Sequence, residues 1–140
     1  MKGSFFLDTN VFVYSFDGRS PKKQQRAIEL IKEGVATRKG VVSYQVVQEF
    51  LNVALRRFSQ PLTPLEAEQY LMGIFRPLLA VHSSQALFSE ALRLTQKYAL
   101  SWYDSLIVAA ASAGDCATLF TEDLQHGQKF GNVQVTNPFI

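Results

Sequence analysis

Short apolar runs of strand length alternate along this chain with longer segments of helical period, and that alternation restricts the fold more than any other feature. Residues 4–7, Val41-Val42, Leu78 to Val81, 117–120 (ATLF) and 133–136 (VQVT) read as strands. The leading ones are apolar on both faces, as strands of a parallel sheet covered by helices must be. Between them, residues 22–36 (KKQQRAIELIKEGVA) carry a helical stripe of Ala27, Ile28, Leu30 and Ile31. Ser43 is placed to cap a helix from about Tyr44 to Phe58. Thr63-Pro64-Leu65-Glu66 combines a capping box with proline at the first helical position. That helix is expected to run to Arg76 and stop at Pro77. Ser83 or Ser84 caps a further helix through Tyr98, and Asp104 to Ala113 (DSLIVAAASA), apolar or small almost all round, predicts a buried helix closed by Gly114. The stretch after the first strand, with Asp17-Gly18 and Ser20-Pro21, reads as a loop. The expectation is one α/β domain over residues 1–140, with a mainly parallel sheet of about five strands.

Composition narrows the classes. The chain is 47% hydrophobic and 19% charged, as ordinary globular proteins are. No signal peptide and no membrane-length apolar run is apparent, and the single Cys116 cannot form an internal disulfide, so a reducing cytoplasm is the expected compartment. Cys116 reads as a small core residue rather than a nucleophile. The net charge of +2 does not argue for nucleic acid, but its distribution is uneven. Residues 1–60 hold ten Lys/Arg against five Asp/Glu (+5), and residues 61–140 hold four against seven (−3). A positive face of that kind can attract a phosphate backbone, although solvated helix surfaces explain it equally well.

The carboxylates fall at positions that the fold makes meaningful, because open parallel sheets bind ligands beyond the carboxyl ends of their strands. Asp8 ends the first strand; Glu122 and Asp123 follow the strand ending near Phe120, with Thr121 between; Asp104 opens the buried helix. Glu49, three residues after Val46 and four before Val53, lies at the edge of a buried stripe. Each acid alone has a bland explanation as a cap, turn or solvated residue. Together, carboxylates converging on one dry edge are unfavourable unless a cation neutralises them. The donors are all oxygen, which suits Mg²⁺ or Mn²⁺ rather than zinc. His82 and His126 form no zinc pair, and no Walker loop, G-x-G-x-x-G or G-x-S-x-G is present.

FLDTNVFVYSFD, SYQVVQEFLNV, SWYDSLIVAAA and LFTEDLQHGQ resemble, in order and spacing, the motif series of PIN-domain proteins, most closely the VapC-type toxins of bacterial toxin–antitoxin pairs. The resemblance implies a small three-layer α/β/α domain and a metal-dependent endoribonuclease. Asp8, Glu49, Asp104 and Asp123 match the acidic quartet that holds one or two Mg²⁺ or Mn²⁺ ions, with Glu49 acting directly or through water. Asn10 and Thr121 match supporting polar positions. Asp123 rather than Glu122 takes the last place, because the pattern sets Ser/Thr two residues before it. Arg19 or Arg38 would guide an RNA backbone. Ser101, Trp102 and Tyr103 could contact a base or close the core, and core closure is the simpler reading. The resemblance also implies a homodimer and a cognate protein antitoxin, with Val11 to Tyr14 or Met72, Ile74 and Phe75 as interface surface unless they pack in the core.

Two other hydrolase-like folds fit less well. A haloacid-dehalogenase-like phosphatase expects an aspartate where Asn10 stands, and a receiver domain expects an aspartate on the middle strand VVS. The alternative from a different class is a PIN-like module that binds RNA or protein without cleaving. Retention of all four acids favours activity.

Overall fold

A computed structural model describes residues 3–140. The first strand, β1 (Ser4–Leu7), leads directly into a six-residue helix, α1 (Thr9–Tyr14), and then α2 (Pro21–Thr37). There follow β2 (Gly40–Ser43), α3 (Tyr44–Arg56), α4 (Pro64–Tyr70), a π turn (Leu71–Phe75), α5 (Arg76–Leu78) and β3 (Leu79–Val81). The remainder is α6 (Gln85–Tyr98), α7 (Trp102–Ala113), β4 (Cys116–Phe120), β5 (Lys129–Phe130) and β6 (Val133–Thr136).

The sheet runs in the order β3-β2-β1-β4-β6-β5. All neighbours pair in parallel except β5 with β6. Phe5, Phe6 and Leu7 of β1 are wholly buried, so both faces of the sheet are covered at its centre, as a parallel sheet requires. The chain moves outward from β1 to β3 and then returns to the other side of β1 to form β4. Strand order therefore reverses between β1 and β4, and their carboxyl ends, Leu7 and Phe120, lie in register. Such a reversal opens the crevice in which α/β sheets bind ligands.

Several expectations need correction. The segment after β1 is a helix, although Thr9–Tyr14 is short and rich in β-branched and aromatic residues of modest helix propensity. It is held by burial of Val11 and Phe12 and by Asp8, whose side chain accepts from the Thr9 N–H at its N-terminus. The helix starting at Pro64 does not stop at Pro77. Proline lacks an N–H and its ring collides with the carbonyl four residues back. Here the backbone widens into a π turn, with the Arg76 N–H bonding to the Leu71 carbonyl, and the helical path continues to Leu78. The buried helix begins at Trp102, two residues earlier than expected, because Ser101 is its cap and accepts from the Asp104 N–H. Ser43 occupies the N-cap position of α3 but makes no capping bond. β5, only two residues long, is a sixth strand that no local pattern announced.

The Thr63–Glu66 capping box forms with both reciprocal bonds. Gly114 ends α7 with φ −84°, so it is not a left-handed cap; a Cβ there would stand 3.0 Å from a Val41 methyl, and packing explains the glycine. An aromatic cluster of Phe12, Phe50, Tyr70 and Phe75, flanked by Phe16 and Phe58, joins α1, α3, α4 and the π turn. Val11, Phe12 and Phe75 are therefore core residues and not interface surface, while Met72 stays exposed. Cys116 is buried, and burial pushes its thiol up to about 12, which leaves it unreactive. Among the described residues no helix is long and apolar enough to cross a membrane.

At Gly34 and Gly40 the backbones of α2 and β2 approach closely. A Cβ on Gly40 would lie 2.7 Å from the Gly34 Cα and 2.9 Å from a Leu78 methyl, so two backbones would have to part. Gly40→Ala is expected to cost about 1–3 kcal/mol of stability through overpacking. Urea unfolding checks this: an unchanged midpoint would show that α2 and β2 can separate freely.

Candidate active site

Asp8 sits where β1 passes into α1, with 7% of its surface exposed. Two bonds fix its carboxylate. Oδ1 accepts from the Thr9 N–H at 2.7 Å, and Oδ2 accepts from the Thr121 hydroxyl at 2.7 Å. Thr121 is itself buried at the end of β4, and its Oγ1 also accepts from the Asp123 N–H at 3.1 Å. One hydroxyl thus ties the first acid to the loop that carries the last. The backbone reinforces the junction, since the Asp8 N–H donates to the Phe120 carbonyl.

Glu49, half-buried on α3, accepts from the Thr9 hydroxyl at 2.8 Å and from the Gln45 amide at 3.5 Å, both on Oε1. Thr9 therefore serves two acids: its N–H holds Asp8 and its hydroxyl holds Glu49. Local sequence offered no sign of the second bond, which spans forty positions. Asp104 lies in the first turn of α7, half-buried, and Asp123 lies in the exposed loop after β4.

Burial chiefly pushes the Asp8 carboxyl up to about 6; hydrogen bonds from Thr121 and Thr9 oppose that, and the charges of Asp123 and Glu49 add to it. Asp123 is raised as well, first by burial and then by Asp104 and Glu122. The four acids thus form an electrostatically linked series: Glu49 to Asp8, Asp8 to Asp123, Asp123 to Asp104. Among the described residues, none of the four is in a salt bridge. No three His, Cys, Asp or Glu side chains there stand close enough to grip an ion together. Oxygen-only donors carrying uncompensated negative charge nevertheless fit a hard divalent cation.

Glu122 is differently placed. It accepts from the Tyr14 hydroxyl at 2.5 Å and pairs with Lys23 at 3.3 Å, so its charge is partly neutralised by the protein. The Glu122 bond raises the Tyr14 phenol above its usual range. Asn10 is half-buried on α1 and makes no side-chain hydrogen bond among the described residues. Arg19 is spent on Asp17, at 2.9 Å, and Arg38 caps the far end of α2, before β2 begins, at the opposite edge of the sheet. Arg38 cannot guide a ligand at this site. Lys23, one of the basic residues of the amino-terminal half, is the cation that the fold brings beside the acidic loop. Of the three residues at the mouth of α7, Ser101 caps the helix and Trp102 packs against the core. Tyr103 does not close the core, being 65% exposed.

A mainly parallel α/β sheet whose strand order reverses beside Asp8 sets the class of fold. Residues 5–129 match the model of the PIN domain, and the chain belongs to the PIN domain family, nucleases that generally use divalent metals. No curated protein matches the sequence. Solved structures do. A toxin–antitoxin complex from Klebsiella pneumoniae aligns at TM-score 0.72 and 19% identity, over 97% of this chain and 98% of that one. FitAB bound to the IR36 DNA fragment aligns at 0.70 and 22%, over 97% and 96%. VapC20 of Mycobacterium tuberculosis, a toxin cleaving the sarcin–ricin loop, aligns at 0.59 and 16%, over 86% and 90%. At such identities the likeness is one of fold.

The raised Asp8 carboxyl has a consequence for metal-free stability. Below pH 3.8 it is protonated folded and unfolded alike, and costs nothing. Between 3.8 and about 6 the unfolded chain releases a proton that the folded chain keeps, so stability falls as pH rises through that window. The loss is on the order of 3 kcal/mol once complete. Asp8→Asn is expected to flatten this fall. Urea unfolding in EDTA at about pH 4 and about pH 7 checks it, and an equal fall in both proteins would remove Asp8 as its source.

Proposed function

We propose that this chain is a metal-dependent endoribonuclease that hydrolyses RNA phosphodiester bonds, the toxin of a type II toxin–antitoxin pair, working as one domain in the cytoplasm. The observation that carries this reading is the linked set of four carboxylates with no protein cation paired to any of them. A carboxylate as buried as Asp8, with Asp123 and Glu49 adding to the cost and no cation beside it, is hard to explain as structure alone, since a neutral side chain would serve the turn at lower cost. The family membership supports nuclease chemistry. The toxin and toxin–antitoxin nature of the structures sharing the fold supports the biological role.

In this reading Asp8, Asp104 and Asp123 hold Mg²⁺ or Mn²⁺, one ion or two, and Glu49 does so directly or through water. A cation held there would supply a water of lowered pKa and would offset charge on the attacked phosphate. The chain's own part is positioning. Thr9 and Thr121 each engage one Asp8 oxygen, leaving each oxygen lone-pair capacity toward the crevice. Thr9 and Gln45 both engage Glu49 through Oε1, which leaves Oε2 to orient a water or receive its proton. Lys22 and Lys23 in the first turn of α2 give the RNA backbone a basic approach beside the acidic loop. A cognate antitoxin and a second copy of the chain complete the assembly, with exposed Met72 on the π turn available to either.

A non-cleaving PIN-like module that binds RNA or protein is the second reading, and the spacing of the acids favours it to one degree: as placed, no three of them grip an ion. Cleavage decides between the two. With mixed RNAs and Mg²⁺ or Mn²⁺, the wild-type protein is expected to cut, EDTA and Asp8→Asn to abolish cutting, and Thr121→Val to slow it about 10–100-fold. No metal-dependent cleavage, or equal cleavage by Asp8→Asn, would sink the catalytic assignment.

Melting provides a readout independent of turnover. Mn²⁺ at a hundred times its Kd is expected to stabilise the native state by about 2.7 kcal/mol. That is a rise of several degrees, and Asp104→Asn is expected to blunt it. A melting temperature indifferent to millimolar Mn²⁺ would contradict the proposed ligands.

A further inference from the structure

Beside the carboxylates lies a cavity of about 220 Å³, at the carboxyl end of β2 and between α3, α6 and α7. Its wall combines aromatic rings with neutral polar groups: Phe88, Trp102 and Tyr103 with Ser43, Gln45 and Gln48. Ser43 is the unusual member. It is only 3% exposed, and its Oγ has no hydrogen-bond partner among the described residues. It also stands at the N-cap of α3 without capping that helix. A buried hydroxyl left unpaired is costly and rare in native proteins. A ligand that enters the cavity and bonds to Ser43 would remove that cost.

The remaining features specify the ligand. Every lining side chain is neutral, so the cavity offers nothing to hold a phosphate by charge. Phe88 and Trp102 meet edge to face with ring centroids 5.9 Å apart, and Phe88 and Tyr103 are exposed at 43% and 65%. Exposed rings of this kind stack a flat heterocycle, and hydroxyl and amide groups then read its edge with both donors and acceptors. An apolar side chain of a protein partner would fill the same space but leave Ser43 unpaired.

The cavity also shares a wall with the acids. The Gln45 amide lies 3.4 Å from the Tyr103 carbonyl and 3.5 Å from Glu49 Oε1, and Tyr103 immediately precedes Asp104. We propose that this cavity is a nucleobase pocket, built from Ser43, Gln45, Phe88, Trp102 and Tyr103, which holds one unstacked base of a single-stranded RNA next to the phosphate presented to the carboxylates. The proposal rests on the ribonuclease reading and adds the element that selects where an RNA is cut. Ser43 and Gln45 act as specificity residues, and the aromatic rings supply sequence-tolerant stacking.

Trp102 is the chain's single tryptophan, so its emission reports on the pocket directly and without turnover. Short unstructured ribo-oligonucleotides, titrated in EDTA, are expected to quench it saturably and unequally for different bases. An abasic oligonucleotide of equal length is expected to leave it unchanged. Ser43→Ala and Phe88→Ala are each expected to weaken quenching about tenfold, in line with the loss of one stacked or hydrogen-bonded contact. Ser43→Ala removes an unpaired hydroxyl, so its melting temperature is expected to hold or rise, which separates lost binding from lost folding. Quenching by the abasic chain, or no response to any oligonucleotide, would overturn the pocket. So would an emission that changes only as the protein dimerises, which would make the cavity an interface. The two readings fail separately: RNA cleavage in Mn²⁺ without base-dependent quenching removes the pocket alone. Base-dependent quenching without cleavage of any RNA supports the pocket and removes the nuclease.

Discussion

The fold is organised around one buried carboxylate held at a seam between two strands. Asp8 cannot be moved without disturbing β1, which precedes it, α1, which it caps, and β4, whose Thr121 bonds to it. Taking a carboxylate out of water is unfavourable, and its elevated proton affinity measures that. Two short hydrogen bonds recover part of the cost. The surrounding apolar strands recover none of it electrostatically, but they fix the geometry: Phe5, Phe6 and Leu7 are fully buried and leave β1 no room to slide. A rigid, poorly solvated anion is a poor structural element and a good ligand.

The order of strands explains how the loop carrying the last acid reaches Asp8. β4 must lie beside β1 for the loop after it to carry Thr121 and Asp123 to Asp8, and that neighbourhood exists only because the chain crosses back after β3. α7 then delivers Asp104 from its first turn, while its small, nearly all-buried body packs against the sheet. The one buried hydroxyl of that body, Ser105, is satisfied by Thr95 of α6 at 2.8 Å. Ser43, by contrast, is left unpaired at the edge of the crevice. Satisfied polar groups elsewhere in the interior and one unsatisfied hydroxyl against a cavity is the distribution expected where a ligand completes the bonding.

Features governed by local physics were legible in the amino-acid order. The capping box at Thr63, the burial of residues 105–111 within the expected helix, and the place of Glu49 at the edge of a helical stripe all follow from spacing and propensity. What escaped was set by distant neighbours. α1 has weak intrinsic helicity and exists because Phe12 enters an aromatic cluster drawn from α3, α4 and the π turn. The π turn itself reconciles Pro77 with continued helix, a compromise that no proline rule foretells. Thr9 to Glu49, Lys23 to Glu122 and Thr121 to Asp8 span 40, 99 and 113 positions, and each is visible only after the sheet has been assembled.

The two adjacent acids differ in how far the protein neutralises them. Glu122 and Asp123 are neighbours in sequence, yet the fold gives Glu122 a tyrosine and a lysine and gives the Asp123 carboxylate no basic partner among the described residues. With its charge already offset, Glu122 gains little from a cation and serves to pin α2 against the loop. The Asp123 backbone is tied to Asp8 through the Thr121 hydroxyl, while its carboxylate keeps its charge beside Asp104. At Asp8, capping is compatible with the proposed ligand role. Its Oδ1 caps α1 through a single N–H, and a carboxylate oxygen that accepts one hydrogen bond retains capacity for a second partner. Capping orients the group, and a group so oriented costs less to bring to a metal than one that must first be ordered.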